Sequence, residues 1–479
     1  MTAEKISDAV EKPNRCFGIR YVQCAFLSII IITVSGMRSS LSVAVIAMVS
    51  KNPPSRNIPT YPEWASQKNV ILSSFYWGYI VFQFVTGVVA KKYGAKYLLG
   101  IGMFVNSVFC LITPYFGSQF GYQGVIACSV IQGLAQSPLL PSCHNLLSKW
   151  TPLQERGKMG SFVYTGFSLG TLISMPLSGV IALSSAGWPT IFYLHGGISL
   201  VWSILWLILG SNSPSTDRFI SEEERKYIQA GAPIEEEKSI ATPWKAIFTS
   251  GPYYAIIISH CGTGMGDYTM LSETPSYMEK IMDFDLASNS LLSALPCLVQ
   301  YIVGNLLGQI TSRLIEKGVL SVGSARKLST ALATFVPAMF LFALVFVGAD
   351  QPEVTLVSLI VGVGMMGAVC SGYLINHMDI SPVHSGTLMG FGNSLGNTFG
   401  FIAPLSVDAM SSISGYNETQ KQLWNIVFSV TGIVLIATGI SYIILGSGEE
   451  QSWSKVEDRK ISEARKADPL RKISAIASL

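Results

Sequence analysis

Charged residues are scarce in this chain. Lys, Arg, Asp and Glu make up 13% of its 479 residues, about half of the share found in a typical soluble protein. Of the 32 Lys and Arg residues, only Arg38 lies deep inside a long apolar stretch. This distribution excludes an ordinary soluble domain and is typical of a polytopic membrane protein with a single buried cation.

Other signatures are missing as well. The polar N-terminus is not followed by a short apolar run with a small-residue cleavage site, so no cleaved signal peptide is expected. No phosphate-binding loop, metal-ligand cluster or nucleophile with its base is visible, which argues against an ATP-driven pump or an enzyme and predicts no cofactor. Of the eight cysteines, all but Cys16 fall within or at the ends of apolar stretches, so free thiols are expected. The net charge of +3 gives no reason to expect a nucleic-acid partner.

The sequence does contain twelve apolar stretches of the length, about 20 residues, that a transmembrane helix needs. It predicts an all-α membrane protein of twelve transmembrane helices in two six-helix bundles. The predicted spans are 19 to 49, 70 to 90, 97 to 116, 121 to 147, 159 to 183, 188 to 210, 252 to 278, 287 to 312, 328 to 348, 353 to 376, 385 to 411 and 422 to 446.

Lys and Arg residues orient these spans, because they accumulate in cytoplasmic loops. Segments on the amino-terminal side hold 26 of them, against 5 in the opposite loops, which predicts that both termini are cytoplasmic. The predicted domains are a tail (1 to 18), a first bundle (19 to 210), a polar linker (211 to 251), a second bundle (252 to 446) and a second tail (447 to 479).

The two halves also resemble each other. Gly87 in the second span and Gly308 in the eighth are each followed five residues later by a cation, and the pair Gly166 and Gly170 recurs 226 residues later as Gly392 and Gly396. Small residues four apart let helices approach closely. The repeat therefore predicts two related bundles with a cavity between them.

Six segments that span nearly the whole chain resemble a known family. They are SSFYWGYIVFQ (73 to 83), LSKWTPLQERGKMGSFVYTG (147 to 166), GWPTIFYLHGG (187 to 197), LSETPSYM (271 to 278), NHMDISPVHSGTLMGFGNSLG (376 to 396) and LGSGEEQSW (445 to 453). They are similar to the anion:cation symporter family of the major facilitator superfamily, which includes sodium-phosphate cotransporters, sialin and vesicular glutamate transporters. The wording is most similar to the insect proteins labelled inorganic phosphate cotransporters.

The resemblance implies a secondary active transporter whose two bundles rock around a mid-membrane site. Downhill movement of a cation, sodium or proton, would drive a small anion such as phosphate or a carboxylate. Arg38, in VSGMRSSLSVAV, occupies the position at which the family places an arginine that meets the substrate. The same role follows from its chemistry, because a buried guanidinium needs a partner and its planar donors suit an anion. The alternative is a permanent ion pair with an acid on another helix.

Two positions of the fourth span depart from the family. Where proton-coupled relatives carry an arginine and a glutamate, this chain has Ser129 and Gln136, so a proton-exchanging carboxylate cannot be carried over. Sodium coupling, a relocated proton site, uncoupled transport and a changed substrate stay open. Asp267 and His260 lie on one face of the seventh span and are candidates for the ion-coupling site. The alternatives are an Asp267–Arg38 structural pair and a hydrogen-bonded packing histidine.

Polar residues inside other spans complete the predicted cavity. Their hydroxyl and amide groups could contact an anion, although for each of them ordinary helix packing with a satisfied polar group is the alternative. These predicted substrate-binding residues are Tyr76, Tyr79, Tyr164, Tyr268 and Asn393.

Two elements on the predicted cytoplasmic side are expected to act in gating. The loop that contains Lys92 resembles the gate motif of the superfamily, but Lys91 replaces its usual aspartate, so no salt bridge is expected at that point. Asp379, in NHMDISP, is predicted to be a gating or loop-anchoring residue. His144, His195 and His384 are placed nearer to helix ends.

Further expectations concern the surroundings of the protein. Asn417 begins an N-glycosylation sequon in the last external loop. Plasma, endolysosomal and vesicular membranes are all compatible with the resemblance, and a monomer in the lipid bilayer is expected. The alternative to a transporter is a membrane sensor that kept the fold and lost ion coupling, which the neutral Ser129 and Gln136 favour.

Overall fold

The computed structural model describes residues 18–50, 58–229, 242–282, 292, 294–346, 351–417 and 419–455, in which every regular element is a helix. We keep the ordinal numbers of the predicted spans. The α-helices that form them are Ile19–Met48, Lys68–Tyr93, Ala95–Gln136 with Leu139–Trp150 (third and fourth spans), Arg156–Tyr164 with Gly166–Leu183 (fifth), Gly187–Leu209, Gly251–Lys280, Leu295–Glu316, Val322–Phe346, Pro352–Met365 with Tyr373–Ile380 (tenth), Ser385–Ser414 and Lys421–Leu445. Short helices elsewhere are Pro62–Gln67, Glu222–Gln229 and Trp244–Ile247.

These helices carry the predicted fold class. Eight helical segments in the described residues are long and apolar enough to cross a membrane, and one of them, Ala95–Trp150, contains two spans. Large apolar side chains such as Val81, Leu183, Ile208 and Phe346 are exposed, as expected for surfaces that face lipid tails rather than water. Gly251–Lys280, Leu295–Glu316 and Ser385–Ser414 fall short of that apolar standard.

One predicted boundary was wrong. No loop separates the third and fourth spans, because the chain reverses at Gly121 alone, whose φ of 64° suits a glycine. Thr113 and Gln132 face each other across this hairpin at 3.2 Å. The predicted start of the eighth span at 287 lies outside the described residues, and the helix Leu295–Glu316 forms the rest of that span.

The two halves pack through equivalent pairs of spans. Gly170 of the fifth span is so close to the first that an added Cβ would lie 2.3 Å from a carbonyl oxygen, and Gly396 of the eleventh stands in the same relation to the seventh, at 3.1 Å. Between the halves, Gly87 of the second span meets the eleventh, and Gly308 of the eighth meets the fifth. Each contact therefore has a counterpart six spans further on, which is the symmetry of a two-bundle repeat.

We call the side of the membrane at which the first span begins the terminal side, and the opposite one the far side. On the terminal side, the short helix Glu222–Gln229 binds the start of the first span through Glu224. The Glu224 carboxylate accepts hydrogen bonds from the backbone amides of Ile19 and Arg20 at 2.9 and 3.3 Å, and it forms an ion pair with the Arg20 guanidinium at 2.9 Å. Ser221 caps this helix, accepting a hydrogen bond from the Glu224 amide at 3.3 Å. A carboxylate at the first turn also complements the helix dipole.

The seven described cysteines are all free thiols, as predicted. Six of them are buried and Cys261 is half-buried.

Candidate functional site

A cavity of about 220 Å³ opens beside Arg38 within the first bundle. Its walls come mainly from the second half of the first span, the start of the second span, and the fourth and sixth spans. Its polar lining residues are Arg38, Ser40, Ser42, Tyr76, Ser129, Gln132, Gln136 and His195. Arg38 thus faces a space large enough for a small anion.

Arg38 is held by neutral partners. Its Nε donates to the Gln136 amide oxygen at 3.0 Å, and its guanidinium lies over the rings of Tyr79 and Phe75, at 4.3 and 4.8 Å from their centroids. Its buried Nη2 has no hydrogen-bond partner within the described residues. A buried guanidinium with a free donor and no neutralising acid is suited to bind an anion.

Gln136 is itself fixed in place. Its amide nitrogen donates to Asn106 at 2.9 Å, which leaves the amide oxygen pointing at Arg38. The fourth-span position that carries a glutamate in proton-coupled relatives therefore still contacts the arginine, but as a neutral acceptor. This contact leaves the positive charge of Arg38 uncompensated.

The structural pair between Arg38 and Asp267, which the sequence left open as an alternative, is not formed in this structure. Among the described residues no carboxylate lies within 4.0 Å of the Arg38 guanidinium. Asp267, in the middle of the seventh span, instead accepts a long hydrogen bond of 3.4 Å from Gln300. Gln300 in turn accepts from Ser168 of the first bundle at 3.0 Å. Asp267 is thus a weakly satisfied carboxylate at the boundary between the bundles.

The predicted tyrosines fall into two groups. Tyr76, Tyr79 and Tyr268 lie near enough to Arg38 to interact with it electrostatically, and Tyr268 reaches it from the second bundle. Tyr164 does not belong to this group, since its hydroxyl bonds the buried His144 near the terminal side.

The eleventh span adds amides to this region. Tyr268 donates to Asn397 at 2.8 Å. Asn397 donates to the backbone carbonyl of Asn393 at 2.6 Å, whereas the buried side-chain nitrogen of Asn393 has no hydrogen-bond partner in the part of the chain described. Asn393 therefore keeps a spare donor, as a substrate-binding amide requires.

On the terminal side, buried charges join the two bundles. Asp379 accepts from Arg156 of the first bundle at 3.3 Å and from Arg326 of the second at 2.7 Å. All three side chains are almost fully buried. Asp379 therefore links the first bundle to the second on the terminal side.

The loop after the second span contributes differently from the prediction. Lys91 lies 3.2 Å from His384 of the second bundle, so a hydrogen bond replaces the usual salt bridge of the gate motif. Lys92 is exposed, with its ammonium 5.2 Å from the ring of Tyr93. Lys91, and not the predicted gating residue Lys92, therefore contacts the second bundle.

Three residues in or behind the cavity were not predicted from the sequence to belong to the site. His195 was placed near a helix end, which was wrong: it is buried inside Gly187–Leu209, lines the cavity and contacts Ser40 at 3.3 Å. Gln132 lines the cavity, and Asn106 supports Gln136 from behind. All three lie on spans of the first bundle, where a polar residue in an apolar stretch was the available signal.

Two helical bundles, the first of which holds a polar cavity beside an unneutralised cation, are the architecture of a membrane transporter. The model of the Major Facilitator Superfamily matches residues 24–404. A Drosophila melanogaster protein named "Putative inorganic phosphate cotransporter" is 37% identical over 94% of this chain and 88% of its own length. Vesicular glutamate transporter 3 of Danio rerio is 33% identical over 92% and 76%, respectively. The chain therefore belongs to the Major Facilitator Superfamily, in the anion:cation symporter family that these relatives represent.

Solved structures agree on the fold. The proton:xylose symporter XylE superposes with a TM-score of 0.68 at 14% identity, covering 90% of this chain and 98% of the symporter. The fucose:proton symporter FucP of E. coli gives a TM-score of 0.58 at 13% identity, covering 88% and 99%. At such low identity the likeness concerns the architecture alone.

Proposed function

We propose that this protein carries a small anion, phosphate-like or a carboxylate, across a membrane by alternating access, with a cation as the driving ion. The observation that carries the proposal is Arg38, a half-buried guanidinium that faces a cavity and whose buried Nη2 is a spare donor. The relatives named for phosphate and for glutamate support an anionic substrate. Tyr76, Tyr79, Tyr268 and Asn393 complete the site that we propose, and Tyr164 belongs to it only in another conformation.

The moving parts in this proposal are the two bundles, 19–210 and 252–446, joined by the linker 211–251. The contacts of Asp379 and Lys91 hold them together on the terminal side, while the cavity lies nearer to the far side. Such an arrangement corresponds to a state that receives substrate from the far side. Separation of the same contacts would release it on the terminal side, where Lys92 is available to contact the departing anion.

The coupling ion is sodium or a proton, and the proposed candidates for its site are Asp267 and His260. Asp267 is the stronger candidate for sodium, because a carboxylate with one weak amide partner is a suitable oxygen ligand. A carboxylate in this environment could equally be neutralised by a proton. Loss of gradient-driven uptake in Asp267→Asn, with counterflow retained, would assign the coupling ion to Asp267.

For topology we propose a cytoplasmic terminal side, both termini cytoplasmic, and a plasma, endolysosomal or vesicular membrane. Lys and Arg residues dominate the terminal-side segments. Asn417 is exposed on the far side between the last two spans, and a glycan there would support this orientation. We propose a monomer as the working unit.

Uptake into proteoliposomes tests the function. Labelled phosphate, glutamate and a sugar acid are offered in turn under an imposed sodium or proton gradient, with Arg38→Ala, Arg38→Lys and the wild type side by side. Arg225→Ala, which removes a surface arginine paired with Glu222 at 3.0 Å, is the matched control and should transport normally.

We expect gradient-driven uptake of one anion class in the wild type and none with Arg38→Ala. Arg38→Lys keeps the charge and loses the planar donor pair, so apparent affinity should fall by about 10- to 150-fold, which corresponds to about 1.5–3 kcal/mol for a charged hydrogen bond. Normal uptake by Arg38→Ala would overturn the site. No uptake by the wild type under any gradient would favour the sensor.

A further inference from the structure

Three of the five histidines meet where the bundles touch near the terminal side. His144 comes from the fourth span, His260 from the seventh and His377 from the tenth, and all three are buried. The ring centroid of His377 lies 5.3 Å from that of His144 and 5.1 Å from that of His260. We call these three residues the histidine cluster. One member belongs to the first bundle and two to the second.

Hydrogen bonds fix the protons of the neutral cluster. The carbonyl oxygen of Leu374 accepts from His144 Nε2 at 2.8 Å and from His377 Nδ1 at 3.0 Å, so both nitrogens carry protons. His377 Nε2 is then an acceptor, and His260 Nε2 donates to it across 3.3 Å. His144 Nδ1 accepts from the Tyr164 hydroxyl and also lies 3.3 Å from the Leu140 carbonyl oxygen. One backbone carbonyl thus ties together histidines from both bundles.

The cluster has room for one more proton on the His260–His377 pair. A proton added to His377 Nε2 turns this nitrogen into a donor, and His260 answers by moving its own proton to Nδ1 and accepting at Nε2. The two rings then form an imidazolium–imidazole hydrogen bond, and no other bond breaks. The new charge faces the His144 ring at 5.3 Å, across the bundle boundary.

The surroundings do not neutralise that charge. In the described ranges no carboxylate lies within 4.0 Å of the three imidazoles, and no group of three ligands is arranged to hold a metal ion. The titratable or charged groups nearby are Tyr164 and Cys143 of the first bundle, Tyr373 and Cys370 of the tenth span, Asp267 two turns along the seventh span, the Arg156–Asp379–Arg326 network and the Lys91–His384 pair.

We propose that His144, His260 and His377 form the proton-binding site of this transporter and that proton binding there loosens the terminal-side contact between the bundles. The proposal rests on the proposed transport function and names where the proton binds. His260 and His377 share the proton, and its charge weakens the contact with His144 through Leu374. Because Gln136 has no carboxylate to exchange a proton, the histidine cluster would serve as the proton site in its place.

Two transport modes in proteoliposomes separate coupling from transport itself. Counterflow of labelled phosphate or glutamate at equal pH on both sides needs no net proton movement, whereas accumulation driven by a pH gradient does. His377→Gln is the main variant, because glutamine still donates to the Leu374 carbonyl. His260→Asn is the second variant, and Cys261→Ala, on the half-buried neighbour of His260, is the control.

We expect the wild type and Cys261→Ala to accumulate substrate several-fold under the pH gradient. Both histidine variants should lose this accumulation while counterflow stays within about threefold of the wild type. The proposal is overturned if both variants still accumulate substrate under the pH gradient. It is equally overturned if Asp267→Asn abolishes accumulation while the histidine variants keep it. Uptake in the wild type that is driven by sodium and not by protons would also overturn it.

A second measurement does not depend on transport. Nitrogen NMR of the purified protein labelled at its five histidines follows each ring from about pH 5 to about pH 8, the range in which histidine changes charge. We expect the His377 signal to titrate and its midpoint to move in His260→Asn. If wild-type counterflow is absent with both anions, the proposed function fails, and this titration alone decides whether the cluster binds a proton. The proposed site would be overturned if the His377 ring stays neutral over the whole pH range, or if the midpoint of its titration is the same in His260→Asn as in the wild type.

Discussion

Gln136 sets the charge that faces the substrate. Its amide oxygen already accepts from Arg38 Nε at 3.0 Å, so Gln136→Glu would create an ion pair without moving either side chain. The ionised glutamate would occupy the guanidinium and lower anion affinity by about tenfold or more. Protonation of that glutamate at low pH restores a neutral acceptor. We therefore expect affinity, measured by counterflow, to improve as the pH falls.

Gln132→Glu is the control for this prediction. Gln132 lines the same cavity but donates to Thr113 rather than contacting Arg38. A carboxylate there should weaken anion binding less, because it lies in the cavity without direct contact to the guanidinium. Equal losses in the two variants would mean that general repulsion, and not the Arg38 contact, controls affinity.

Among single residues, Asp379 is expected to stabilise the fold through its two buried ion pairs. Asp379→Asn leaves the buried Arg156 and Arg326 without their carboxylate, and breaking a buried pair from one side typically destabilises by about 3–5 kcal/mol. We expect a lower thermal midpoint in detergent, and partial recovery when Arg326→Gln removes one of the stranded charges. Arg313→Gln, at an exposed position on the eighth span, should change little. A midpoint unchanged in Asp379→Asn would show that the network does not hold the bundles.

The sequence was informative about single residues and uninformative about their partners. Arg38 could be predicted because a lone intramembrane cation is conspicuous in one stretch of sequence. The Leu374 carbonyl that joins His144 to His377 could not, because it depends on how the fourth and tenth spans meet. For the same reason Tyr164 was assigned to the substrate, although its place in the fifth span was correct.

At the scale of elements, Gly87 is the position where the second and eleventh spans touch. A Cβ there would lie 2.5 Å from the Gly386 carbonyl oxygen and 2.6 Å from the Thr387 Cα. Backbone atoms cannot turn away as side chains do, so Gly87→Ala should force these spans apart on the terminal side. Cys143 and Cys370, both buried at this boundary, should then react faster with a maleimide, as measured by mass spectrometry of their peptides.

Gly197→Ala provides the comparison for Gly87→Ala. Nothing lies within 4 Å of a Cβ at Gly197, and an alanine inside a helix is slightly favourable. Cysteine reactivity and uptake should therefore stay at wild-type levels. If Gly87→Ala leaves Cys143 and Cys370 as protected as Gly197→Ala does, the second and eleventh spans are not a closing contact.

Long apolar stretches predicted the spans well, because a bilayer demands about 20 apolar residues in each. Breaks within and between helices were harder to find. The reversal at Gly121 needs one residue, and the tenth span tightens into the short helix Met366–Ser371 before Gly372. Such features depend on one or two backbone angles, which a hydropathy pattern averages away.

For the whole molecule, the repeat explains why the terminal side closes through two equivalent helix pairs. The second span meets the eleventh at Gly87, and the eighth meets the fifth at Gly308. The sequence foretold the repeat from the register of its glycines, but not which pairs would be in contact. Both pairs join the first bundle to the second, so separating the bundles on the terminal side would have to break both contacts.

A cross-link across this boundary tests that motion. Lys91 and His384 are 3.2 Å apart at Nζ and Nδ1, so Lys91→Cys with His384→Cys can be joined by a short, reducible bis-thiol reagent. If alternating access requires the terminal side to open, the cross-linked protein should lose uptake and regain it after reduction. His384→Cys with Trp453→Cys, whose parent rings lie 6.3 Å apart within the second half, should transport when cross-linked, because both residues move together. Uptake that survives complete Lys91→Cys/His384→Cys cross-linking would mean that substrate leaves without separation of the bundles at this point.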